Sequence, residues 1–241
     1  MKKISIATGV LITLLLAAIS SVAQTQSRAD ILKQIEAKRA ELDTLEKRYL
    51  SPSEEDKAQY ADFLRQPHTG LIRLVPHDQF YNSTNSKGLL VNGGGSYYSF
   101  ARLTHEYGYG SDIQLTRGVL SMGFAGANYG ILTNLGDVPL EDVSLESPGA
   151  QHIAAHVPPR EEPKARIEQR KWSDGETVDG ATYRNRVELE VNSTYVVRSI
   201  DYDDSDVLVA FRVVRVDSDD SAIILWKLLK KYPTPLLTRG N

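Results

Sequence analysis

Cysteine is absent from the chain. No disulfide can staple it, and no thiolate can serve as nucleophile or zinc ligand. Basic tracts are missing as well. The 28 Lys+Arg stand against 31 Asp+Glu, for a net charge of -3, and the bases are scattered. Nucleic acid is therefore not an expected partner, because phosphate binding needs clustered Lys and Arg. No Gly-x-Ser-x-Gly elbow occurs, so a serine hydrolase lacks its usual local sign. Gly93-Gly94-Gly95 is followed by strand-like Ser-Tyr-Tyr-Ser-Phe and not by a helix. That order excludes the strand-loop-helix context of a phosphate loop and suits a turn or bulge.

Beyond the first residues, long apolar runs are also lacking. Met1-Lys2-Lys3 is a short basic start, and residues 4–19 are apolar. Ser21 and Ala23 then supply the small residues that a signal peptidase requires, which predicts residues 1–23 as a leader cleaved after Ala23. The run is short for a membrane span, the uncleaved anchor being the alternative. Without cysteine, no lipid can be attached through a thiol at the new N-terminus. Loss of two lysines with the leader takes the net charge from -3 to -5. The expectation is a bacterial protein that is periplasmic or secreted, with no transmembrane segment after leader removal.

What is present begins with a helical period. Across residues 27–50, Ile31, Ile35, Leu42, Leu45 and Tyr49 fall on steps of four and three, with Lys38 at the remaining seam position. Ser27 with Asp30 makes a capping start. Ser51-Pro52-Ser53-Glu54 predicts a second helix with Ser51 as N-cap, Pro52 in the first turn and an end near Arg65, before Pro67. Residues 24–66 thus read as a helical arm or αα-hairpin. Its apolar stripe needs a partner: the second helix, the β domain, or the same helix of a second copy. Three heptads are short for a freestanding dimer, which favours packing within the chain. The homo-oligomer through the arm is the other outcome.

Residues 67–235 carry a strand code, followed by a tail at 236–241. Leu120, Met122 and Phe124 alternate with small residues, and Ile113 and Leu115 alternate with Asp112, Gln114 and Thr116, which suits one wet face. Arg117-Gly118 predicts the hairpin between them. Residues 97–103 and 129–135 read as further strands, and 71–75 as a short one. The Pro-bearing passage 137–163 reads as an exposed crossing. Asp179-Gly180 predicts a type I′ turn. A meander then runs through 195–202, 207–216 and 222–229, the last fitting strand better than helix. Val207, Val209, Phe211 and Val213 share one face and Leu208, Ala210, Val214 and Val216 the other, so this strand should be buried on both sides. Such double-faced strands disfavour a membrane barrel. The fold class is α+β: a helical arm followed by a mainly antiparallel β domain, sheet or sandwich.

Three constellations carry candidate chemistry. His105, Glu106 and Asp112 combine an imidazole with two carboxylates and are the catalytic candidates. Adjacent strand residues point apart, however, and no metal-specific spacing is present. His152 and His156 are four apart, as helical zinc ligands are, but Ile153 stands where a metalloprotease has glutamate and two prolines follow. Tyr97, Tyr98, Tyr107, Tyr109 and Tyr129 crowd the glycine-rich centre, where ring faces could meet a sugar or peptide. Burial in a core is the plain alternative. No metal or cofactor is expected. The expected function is a non-enzymatic binding or scaffolding module for an envelope protein or glycan, the alternative being a secreted hydrolase or metal-dependent enzyme centred on His105, Glu106 and Asp112.

Overall fold

A computed structural model describes residues 27–78, 95–105 and 110–239. The chain divides into two compact units, one ending at Leu45 and one beginning at Glu46. The leader expected at 1–23 lies outside the described residues.

Helix α1 spans Arg28–Leu50. Ser27 caps it as expected: its hydroxyl accepts from the Asp30 amide at 3.1 Å and donates to the Asp30 carboxylate at 2.7 Å. Ile31, Ile35, Leu42, Leu45 and Tyr49 are each 38–45% exposed. At the seam position between them, Lys38 pairs with Glu41 at 2.6 Å on the surface, a contact of little energetic weight. Leu50 is the buried residue of this helix.

The second helical start lies two residues further on than the sequence signal placed it. Ser53, not Ser51, is the N-cap of α2 (Glu54–Gln59), and Asp56 closes the capping box. A tertiary contact explains the shift. The Asp56 carboxylate also receives both terminal nitrogens of Arg215, the longer bond being 2.8 Å, and Asp56 is buried. A glutamate at position 54 has no such partner. Tyr60 breaks the helix, and α3 (Ala61–Leu64) follows.

Strands β1 (Thr69–Leu74), β2 (Tyr97–Tyr98), β3 (Ile113–Thr116), β4 (Val119–Ser121) and β5 (Tyr129–Gly136) come next. After a 3-10 turn at Leu140–Asp142 come α4 (Ala150–Ala155) and α5 (Glu162–Asp174). The chain then forms β6 (Glu176–Val178), β7 (Ala181–Tyr183), β8 (Arg186–Glu188), β9 (Thr194–Asp201), β10 (Ser205–Val216) and β11 (Ala222–Lys231). Every strand pairing is antiparallel. One sheet of five runs β1-β11-β10-β9-β5, a sheet of four runs β2-β3-β4-β8, and β6-β7 is a separate hairpin.

The five-stranded sheet is the middle layer, which is why its strands are apolar on both sides. Val207, Val209, Phe211 and Val213 pack with Leu115, Leu120 and Met122 of the smaller sheet. On the opposite face, Leu208 and Ala210 pack with Ile153 of α4 and with Ala165 and Trp172 of α5. Every residue of β9 is buried. The expected hairpins are present, with positive φ at Arg117 and Gly118 and again at Asp179 and Gly180. That is the type I′ requirement.

Three local expectations need correction, and one helix was not expected. Residues 97–103 are not a continuous strand: β2 ends at Tyr98, a turn closes through the Ser99–Thr104 bridge, and Leu103 is 63% exposed with φ 57°. Asp112 is not on a wet face but fully buried. The passage 137–163 is no mere surface crossing, because Leu140, Val143, Ala150 and Ile153 seal one face of the main sheet. Helix α5 has no counterpart in the sequence reading. Its Pro163 sits in the first turn, where the missing N–H is no loss. Among the described residues, no helix is long and apolar enough to cross a membrane.

Candidate functional site

Glu106, Tyr107 and Tyr109 lie outside the described residues. Of the remaining members of that group, His105 has Nε2 2.9 Å from the Arg73 carbonyl oxygen of β1 and its ring edge-on to Tyr98. Burial holds its pKa below the usual imidazole value. Asp112 Oδ2 accepts from the Phe100 amide at 2.5 Å and the Ala101 amide at 3.4 Å. Ser199 and Ser99 also bond this carboxylate. It therefore ties the 99–104 turn to β3 and β9. Among the described residues, no hydrogen bond joins His105 to Asp112, and no group of three His, Asp or Glu is placed to hold a metal.

Asp112 has a buried neighbour. Asp201 faces the inter-sheet core, two residues beyond Ser199 on β9. Burial first, then the negative charges of Asp112 and Asp204, push its pKa up to about 8. Arg102 opposes this weakly, being committed to Asp204 through two 2.8 Å bonds. Asn128 holds Asp201 and also accepts from the Tyr202 amide at 3.0 Å. Burial likewise raises Asp112, to about 6. Each carboxyl has one oxygen without a hydrogen-bond partner among the described residues. Two close buried carboxyls cannot both ionise cheaply, so the pair keeps a proton at neutral pH.

The three described tyrosines of this group lie in separate surroundings. Tyr98 is buried between the sheets, whereas its strand neighbour Tyr97, also buried, receives a bond from Gln114 at 2.8 Å and lies edge-on to Phe124. Tyr129 is buried on the other face of the main sheet, its hydroxyl 2.7 Å from His156 Nε2. These three therefore do not line one concave surface as a ring platform would require.

His152 and His156 are also separated in role. His152 belongs to α4, its ring centroid 4.5 Å from that of Tyr183 and Nε2 3.8 Å from the Glu176 carboxylate. His156 is the C-cap residue, outside the helix. Burial, then the charge of Arg198, pushes it down to about 4, so it is neutral at pH 7.

One buried ion pair has no place in the sequence reading. Arg198 Nε and Nη2 donate to the two oxygens of Asp206, both at 2.7 Å. Its Nη1 donates to the carbonyls of Ile153 at 3.1 Å and His156 at 2.7 Å, satisfying the end of α4. The Tyr232 ring covers the guanidinium at 3.6 Å. A lone arginine in apolar 195–200, with Asp206 diagonal to it across the hairpin, was the available signal.

Two concavities open on this side. A cavity of about 380 Å³ lies over Arg198 and Asp206, walled by Val157, Pro158, Tyr232 and Leu236. A groove of about 860 Å³ runs between the β6–β7 turn and the residues from Asn134 to His152. No family model, curated protein or solved structure matches the chain.

Proposed function

We propose that the chain is an exported bacterial envelope protein acting as a non-enzymatic binding or scaffolding module for protein or glycan, with α1 as its protein-docking arm. The observation that carries this reading is the apolar seam of α1, exposed at Ile31, Ile35, Leu42, Leu45 and Tyr49. A seam on steps of three and four, over a helix about 34 Å long at 1.5 Å per residue, is the surface a coiled-coil partner covers. A second copy of the chain is the occupant proposed. Lys38 at the middle of the seam would set register at some loss of stability.

His105 and Asp112 also help to hold the fold. Both groups are engaged with backbone, His105 at the Arg73 carbonyl and Asp112 at two amides. The test is the solution mass of the processed protein beside an Ile35→Glu/Leu42→Glu variant. Association in the parent and its loss in the variant is the expected result; a parent that stays monomeric removes the arm from the proposal. Mass spectrometry of the periplasmic fraction should find an N-terminus at Gln24.

A further inference from the structure

The 860 Å³ groove is a separate feature from the arm, with its own chemistry. Its walls are aliphatic, from Leu135, Val138, Val178 and Ala181. Asp142, Glu146 and Asp179 supply carboxylates, all three are exposed, and no lysine or arginine lines the groove. None of the three forms an ion pair among the described residues.

A second observation points to an occupant. Tyr183 lines this groove yet is only 2% exposed, and its hydroxyl has no hydrogen-bond partner among the described residues. The rest of the side chain is buried, so what it shows to the groove is this hydroxyl, which is open to an occupant. Gly149 passes directly above it. With φ at 87°, a Cβ there would come within 2.9 Å of Leu135 Cδ2 and 3.9 Å of the Tyr183 oxygen. The positive φ and the close approach to Leu135 and Thr133 favour glycine at this crossing beside the hydroxyl.

We infer that this groove binds an alkyl-ammonium ligand, a run of methylenes bearing primary ammonium groups, as in a polyamine or a lysine side chain. Methylenes lie against the aliphatic walls, and ammonium groups meet the rim carboxylates. One ammonium donates to the Tyr183 oxygen, which has lone pairs to accept it. Phosphate and carboxylate ligands are disfavoured by the same three acids.

Calorimetric titration of the processed full chain with spermine and, separately, with trilysine tests this at about 50 mM salt, where screening is modest. Saturable one-to-one binding of either probe is expected; spermine alone would identify a free polyamine, trilysine alone a lysine-bearing peptide. Asp142→Asn/Glu146→Gln/Asp179→Asn should weaken binding about tenfold or more, and Tyr183→Phe should weaken it several-fold. Asparagine at 179 keeps the turn, since it tolerates positive φ. A control with the remote pair Glu55→Gln/Asp62→Asn should bind as the parent does. Saturable binding by neither probe overturns the inference. So does equal weakening in the remote control, which would reduce the effect to overall negative charge.

Discussion

At the scale of single residues, Asp112 and Asp201 decide how stability follows pH. Both carboxyls have folded pKa values raised above 3.8, to about 6 and about 8. The folded chain then keeps protons that the unfolded chain has released, so this contribution is full below pH 4 and fades as pH rises to 8. His156 acts in the opposite direction. Its value is lowered from 6.5 to about 4, so its contribution is lost as pH falls through that window. The opposing trends overlap in acid, and above pH 6.5 the Asp201 effect stands alone. Urea unfolding should therefore show lower stability at pH 8.5 than at 6.5, and Asp201→Asn should flatten that decline. An unchanged slope in the variant would show that the pair does not share a proton. Arg198→Ala should cost about 3–5 kcal/mol, because it strands the Asp206 charge and the carbonyls at the end of α4. A loss below about 1 kcal/mol would place that pair among ordinary surface bridges. Neither pair was legible in the sequence. Period-two alternation located Ile113 and Leu115 correctly, but it cannot know that amides eleven and twelve residues upstream supply donors to Asp112.

Elements were read more faithfully where the signal is local. Asp179-Gly180 and Arg117-Gly118 announce their turns through residues that tolerate positive φ, and the structure has it at all four positions. Gly180→Val should cost about 1–2 kcal/mol in the β6–β7 hairpin, from the left-handed backbone a branched side chain resists. Retained stability would mean that the turn relaxes to another type. The two apolar faces of β10 were also plain, and they fix it at the centre of the middle layer. Phe211, stacked on Tyr195 with centroids 5.0 Å apart, should lose about 3–5 kcal/mol on replacement by alanine. Helix α5 escaped notice for a physical reason. Its buried residues are Ala165 and Trp172, seven apart, and two positions on two turns make too faint a stripe against charged neighbours. Similarly, the apolar run after Tyr98 looks like strand, whereas Leu103 folds outward in a turn that the sequence does not mark.

For the whole molecule, the α+β class followed from composition by segment: a helical period, then turn-punctuated alternation. Layer order did not, since which sheet face meets which element is set by long-range register. The candidate site fared worst. Of the tyrosines first suspected, Tyr98 and Tyr129 belong to the two cores, and Tyr107 and Tyr109 lie outside the described residues. The groove by contrast is assembled from the 134–152 stretch and the 178–183 hairpin, which no spacing rule connects. Cysteine-free and built of three packed layers, the chain leaves the α1 seam as its most evident unsatisfied surface. Solution mass by light scattering across a range of protein concentration addresses that surface most directly. The account predicts a mass of at least two chains that falls to one in Ile35→Glu/Leu42→Glu without loss of the β spectrum. A single-chain mass for the parent at every concentration would contradict it.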